Sequence, residues 1–224
     1  MTFSVVGRCA RTGAVGVAVC SSSPAVAARC AYVRAGVGAA ASQNVTDPRL
    51  GPALLDRLAS GSSATDAVAA VVSPGTFVDY RQLTCVDAAG RAAVWSGSQA
   101  LGRHGHLTGE GVAVAGNLLA SDGVLPAMLA AFADQPGLDL ADRLLGALEA
   151  GSAAGGEAGP VHSAGLLVAS DVPWPTTDLR VDWHDEPVAE LRRVWQVWSP
   201  QARDYVTRAL DPTAAPSFGV PGDA

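Results

Sequence analysis

The chain opens with a run in which apolar residues return at every second position. Over 14–21, Val15, Val17 and Val19 share one side, and Ala14, Gly16, Ala18 and Cys20 share the other. Such alternation with β-branched residues predicts a strand, and residues 2–9 predict its partner. The intervening ARTG supplies a glycine-containing hairpin turn. Pairing about that turn sets Thr2 opposite Ser21–Ser23, within a residue or two. Small residues over 36–43 (GVGAAASQ) predict a third strand. The period then changes. Leu50, Leu54, Leu55 and Leu58 form a helical stripe with Gly61 placed to end it, and Ser63 with Asp66 opens a second helix with a capping-box-like pair. Residues 81–97 read as a hairpin turning at 87–90, and 109–119 as a further strand. A second helical pair follows over 122–134 and 138–151, with a stripe at Leu140, Leu144, Leu145 and Leu148 and Gly151 after its last turn. Residues 163–170 and 178–184 predict two more strands. Pro187 opens a helix carrying Trp195 and Trp198, and 211–224 reads as an irregular tail. Blocks of hairpins separated by helix pairs predict an α+β fold with mostly antiparallel sheets.

Composition narrows the chemistry. The chain has 224 residues, 49% of them apolar and only 5% aromatic, so its core must be packed by small side chains. Its net charge is −6, and all 15 basic residues are arginine. Without lysine, Schiff bases, a Walker phosphate loop and lysine-assisted hydroxyl nucleophiles are excluded. Scattered arginines on an acidic chain argue against a nucleic-acid partner. No apolar stretch is long enough to cross a membrane as a helix, and the N-terminus has no signal-peptide pattern, so a cytoplasmic location is expected. Cys9, Cys20, Cys30 and Cys85 lack a C-x-x-C spacing and read as buried thiols.

Candidate chemistry starts at Thr2. A threonine hydroxyl is a poor nucleophile without an adjacent base, and a free α-amine titrating at about 7.7–8.0 can be that base. Loss of Met1 would place both on one residue; Thr2 also reads simply as a good strand residue. Asn117, at the end of a predicted strand, suits an oxyanion donor or a turn residue, and Gln43 invites the same two readings. His104 and His106 form a His-x-His in a glycine-flanked stretch that reads as a solvent-facing loop. Neither there nor around Asp182–Glu186 is a metal-site spacing visible, and no metal or cofactor is expected.

Taken together, MTFSVVGRC, TGAVGVAV, RAGVGAAASQ, GEGVAVAGNLLAS, LEAGSAAGGE and LRVDWHDEPVAELRR resemble the bacterial domain-of-unknown-function family 1028. That family is placed with the N-terminal-nucleophile hydrolases. The resemblance spans residues 1–193, leaving 194–224 as a C-terminal helical extension and tail. It implies a four-layer αββα sandwich, Thr2 as nucleophile and an amide as the bond hydrolysed. Residues fitting the family pattern are Thr2, Gln43, His106, Glu110, Asn117, Gly155, Gly156, Ser163, Arg180, Asp182 and His184. Cys20, Glu157 and His162 stand where the family usually carries other residues. The expected enzyme is a small amidohydrolase with Thr2 and Asn117 as its catalytic pair. Ser21, Ser22, Ser23, Gln43, His106, Glu157, His162 and Ser163 would line the substrate site. The rival reading is a non-catalytic binding or scaffold protein on the same fold. Trp183, Trp195 and Trp198 near the C-terminus suggest a homodimer or larger assembly.

Overall fold

The computed structural model describes residues 2–220; removal of Met1 and the end of the predicted tail concern residues outside that range. In chain order the first half comprises β1 (Thr2–Arg8), β2 (Val15–Ser21), α1 (Ala27–Cys30), β3 (Ala31–Arg34), β4 (Gly38–Asn44), α2 (Leu50–Ala59) and α3 (Ala64–Val72). A 3-10 turn at Val78–Tyr80 leads to β5 (Arg81–Asp87), β6 (Ala92–Ser96), β7 (Gly105–Gly109) and β8 (Val112–Asn117). Then come α4 (Val124–Asp134), α5 (Leu140–Ala153), β9 (Ser163–Ala169), β10 (Thr177–Val181), α6 (Pro187–Trp198) and α7 (Ala202–Leu210).

The strands form two antiparallel sheets. The larger has the order β10-β9-β2-β1-β8-β7 and the smaller β3-β4-β5-β6. Strand alternation divides their side chains among three apolar layers. Phe3 and Val5 of β1 point outward to Phe132 of α4 and to Leu144 and Leu148 of α5. Val6, Val17 and Val19 point inward, meeting Ala39, Ala41 and Val86 of the smaller sheet. Leu83 and Cys85 leave that sheet's other face to meet Leu54, Leu55, Leu58 and Val68 of α2 and α3. The result is the four-layer αββα sandwich. Burying one leucine such as Leu144 stabilises the fold by about 1.5–3 kcal/mol relative to exposure.

Local signals place several elements. Ser63 Oγ accepts the Asp66 N–H at 3.1 Å and donates to Asp66 Oδ2 at 2.6 Å, closing the α3 cap. Other elements differ from the pattern reading. Gly151 does not end α5, which runs on to Ala153. A Cβ at Gly151 would lie 2.7 Å from Met128 and 3.1 Å from Phe3, so this glycine admits close packing instead. The predicted loop around His106 is the edge strand β7, whose exposed glycine-flanked residues hide its alternation. The four-residue elements α1 and β3 are too short to display a period. Trp195 packs on the outer core and donates to Asp142, while Trp198 stacks on Tyr205 of α7 at 4.9 Å. Both are used within the chain's own packing, leaving Trp183, 60% exposed, as the one of the three at the surface.

Candidate active site

The layer between the sheets changes character along its length. On β1 the inward row runs Val6, Ser4, Thr2; on β2, Val17, Val19, Ser21; on β8, Ala113, Ala115, Asn117. On β4 it runs Ala39, Ala41, Gln43, and on β5, Val86, Thr84, Gln82. Each row is apolar or small in the middle and polar at one end. Register brings those ends together, because Thr2 pairs with Asn117, Ser21 with Ser163 and Gln43 with Gln82. All are buried; Thr2 is 3% exposed and Asn117 fully enclosed. Two strands turn away just beyond this end through residues in the left-handed region, Asn44 at φ 74 and Leu118 at φ 51.

Gln82 ties the two sheets together. Its Nε2 donates to Ser96 Oγ at 3.0 Å and to the carbonyls of Gly116 at 3.0 Å and Gly105 at 3.3 Å. Its Oε1 accepts from Asn117 Nδ2 at 2.9 Å and Gln43 Nε2 at 3.2 Å, and Gln43 Oε1 accepts from Ser4 Oγ at 2.6 Å. Two carbonyl acceptors fix which end of Gln82 is the nitrogen, and Gln82 in turn fixes the amide of Asn117. Asn117 Oδ1 is thereby left buried without a partner. The sequence alone does not single out Gln82, although alternation from Val86 puts it on the inward face. His106 joins this network at its rim, its Nδ1 2.9 Å from Ser96 Oγ.

A second set of groups closes around Thr2 from β2. Thr2 Oγ1 lies 3.4 Å from Ser21 Oγ, which lies 2.8 Å from Ser23 Oγ. Ser163 Oγ donates to the Ser23 carbonyl at 2.6 Å and accepts the Val26 N–H at 3.1 Å, so it locks the serine turn. Arg29, to which no pattern points, reaches Ser23 Oγ at 2.6 Å. The His162 N–H donates to the Ser21 carbonyl at 2.8 Å, and the His162 ring stacks on Trp183 at 4.3 Å.

Glu157 completes the arrangement. Gly155 at φ 115 and Gly156 at φ 56 follow α5 in conformations that disfavour a side chain. They deliver Glu157 to a bridge with Leu119, two residues past Asn117. Its Oε1 accepts the Ser22 N–H at 3.2 Å, and its Oε2 has no partner. The residue is only 5% exposed, and burial pushes its carboxyl up to about 7. Burial, with the Glu157 charge, pushes the Cys20 thiol well up, which keeps that thiol unreactive. A cavity of about 240 Å³ lies against Glu157, Phe3, Ser152, Gly156, Val161 and Glu186.

A larger cavity, about 700 Å³, lies at the opposite end of the larger sheet, beside Ala14, Asp142, Val168, Trp195 and Arg203. Size favours it, but none of its lining residues contributes a buried side-chain atom lacking a partner, whereas Asn117, Ser152, Glu157 and His162 all do so at the Thr2 end. Each buried polar group left without a partner calls for a physical explanation, and four of them lie at the Thr2 end. Among the described residues no three His, Cys, Asp or Glu side chains gather as a metal site. No described helix is long and apolar enough to cross a membrane.

Comparison with curated proteins finds no match. Among solved structures, protein SPO2555 from Silicibacter pomeroyi, described under the same family model as this chain, is 33% identical with a TM-score of 0.84, over 91% of this chain and 89% of that one. An Anbu (Gly-1) mutant from Hyphomicrobium sp. strain MC1 is 13% identical with a TM-score of 0.44, over 98% of this chain and all of that one (100%). Anbu (ancestral beta-subunit) from Yersinia bercovieri is 12% identical with a TM-score of 0.36, over 90% and 97%. Likenesses that distant say nothing of what this chain does. The model of a family of unknown function, DUF1028, matches residues 2–191, and the chain belongs to that family.

Proposed function

We propose that the protein hydrolyses small amides, with Thr2 as nucleophile once Met1 has been removed. The observation that carries this reading is the placement of Thr2. The first residue after Met1 pairs with Asn117 of β8, has its hydroxyl 3.4 Å from Ser21 Oγ of β2, and is buried among polar groups at the end of an otherwise apolar layer. A residue needed only for strand formation would not require such surroundings.

In this mechanism Thr2 Oγ1 attacks the amide carbonyl, forming a C–O bond, while its proton passes to the Thr2 α-nitrogen. The carbonyl electron pair moves onto oxygen, and Asn117 serves that oxyanion through the amide N–H it does not spend on Gln82. Collapse breaks the C–N bond, and the amine leaves with the proton from the α-ammonium. Water then attacks the ester by the same route, releasing the carboxylic acid and restoring Thr2. Gln43 and Gln82 position Asn117, and Ser21 orients the Thr2 hydroxyl.

The test is a panel of γ-glutamyl, acyl-amino-acid and cyclic amides, followed for released ammonia or carboxylate with the parent protein and Thr2→Val. Turnover by the parent and none by the variant is expected. Equal turnover by both refutes the mechanism, and binding without turnover across the panel favours the non-catalytic reading.

A further inference from the structure

The register of β1 defines what lies ahead of Thr2. Phe3 pairs with Cys20 on one side and Thr2 with Asn117 on the other. Continuing the first pairing by two steps and the second by one, the space ahead of the Thr2 nitrogen is flanked by Ser22 and Leu118. Glu157 straddles that space. Its carboxylate accepts from the Ser22 N–H, its backbone bridges Leu119, and the next N–H, of Ala158, donates to the Leu118 carbonyl at 2.9 Å. Glu157 therefore caps the start of β1, with one carboxylate oxygen still unpaired, and Asn117 Oδ1 is a second unpaired acceptor directly across from Thr2. Buried acceptors are costly to leave unmade, and an α-ammonium on Thr2 brings three donors.

We propose that Glu157, with Asn117 Oδ1, holds the α-ammonium of processed Thr2 and acts as the positioning residue of the catalytic amine. The inference rests on the reading of Thr2 as an N-terminal nucleophile. It gives the lysine-free chain an anionic partner for the proton that Thr2 Oγ1 yields during attack. The proton stays on the α-nitrogen opposite the Glu157 carboxylate until the C–N bond breaks, then leaves with the amine.

The charges around Glu157 support this role. From β2 it faces Cys20, whose thiol is held neutral. From α5 the cavity receives Ser152, which is uncharged, and from the segment before α6 it receives Asp185 and Glu186, both exposed at its lip. His162 lies nearby with its ring on Trp183. No arginine is among the described residues lining the cavity. Burial raises the Glu157 carboxyl to about 7, and a neighbouring ammonium opposes that rise by favouring the ionised pair.

The absence of lysine makes the test simple, since in a chain beginning at Thr2 the α-amine is the only primary amine. Its titration is read by labelling with acetic anhydride across pH and weighing the N-terminal peptide. Burial without an anion lowers an amine's midpoint, whereas pairing with Glu157 raises it. The expected parent midpoint lies above the ordinary range of about 7.7–8.0, and Glu157→Gln lowers it by about one pH unit or more. A parent midpoint at or below the ordinary range overturns the proposal, and so does a Glu157→Gln midpoint equal to the parent's. If the variant does not fold, the parent value decides alone. Labelling needs no turnover, so a raised midpoint without amide hydrolysis refutes only the hydrolase reading, while hydrolysis with an ordinary midpoint refutes only the role of Glu157.

Discussion

At one end of the six-stranded sheet a cavity of about 700 Å³ opens beneath α6 and α7; at the other, one of about 240 Å³ lies beside Glu157. The larger is bounded by polar groups that have already found each other. Arg203 pairs with Asp171, Arg192 and Trp195 with Asp142, and Arg11 with Asp139. The smaller is lined by Glu157 and Ser152, whose Oε2 and Oγ are buried with no hydrogen-bond partner. Both ends use the same strands, so topology does not separate them. What separates them is whether desolvated polar atoms have been satisfied within the chain. Beside the larger cavity they have been; beside the smaller, Glu157 Oε2 and Ser152 Oγ have not.

The strongest way to break this contrast is at Thr2. Thr2→Val keeps a good strand former and should leave the melting temperature close to the parent's while hydrolysis is abolished; Thr2→Ser should keep part of it. Next is Asn117→Ala, which should slow turnover about 10²–10³-fold, roughly 2.7–4 kcal/mol of barrier, with KM little changed. Gln82→Ala should act on both fold and site. It strands the amides of Asn117 and Gln43 and the Gly116 carbonyl, and should lower stability in chemical denaturation by about 1–3 kcal/mol. The smallest effect belongs to the other end. Arg203→Ala breaks an exposed ion pair, 2.9 Å long with both side chains more than half exposed, and should change stability by about 0–1 kcal/mol and leave turnover untouched. A large loss of turnover from Arg203→Ala would move the site to the larger cavity.

Much of this is legible in the sequence because one rule, strand alternation, both buries Val6, Val17 and Val19 and aims Thr2, Ser21 and Asn117 into the same layer. Hairpin arithmetic alone brings Thr2 to the serines, and its hydroxyl lies 3.4 Å from Ser21 Oγ. The partnership of Gln43, Gln82 and Asn117 is not legible, because it joins residues of different sheets whose contact depends on how the two layers stack. The bridge made by Glu157 is hidden too, since it depends on the left-handed Gly155 and Gly156 and not on any periodic pattern. Gly151 misleads because a glycine that admits Phe3 and a glycine that ends a helix look the same in one dimension.

The proposed chemistry requires Thr2 to be the working N-terminus, and the intact mass of the protein purified from its own cells reads this without an assay for turnover. A mass lower by one methionine, with Thr2 first in the N-terminal peptide, is expected. A population that keeps Met1 in most molecules would leave Thr2 without its amine and contradict the mechanism.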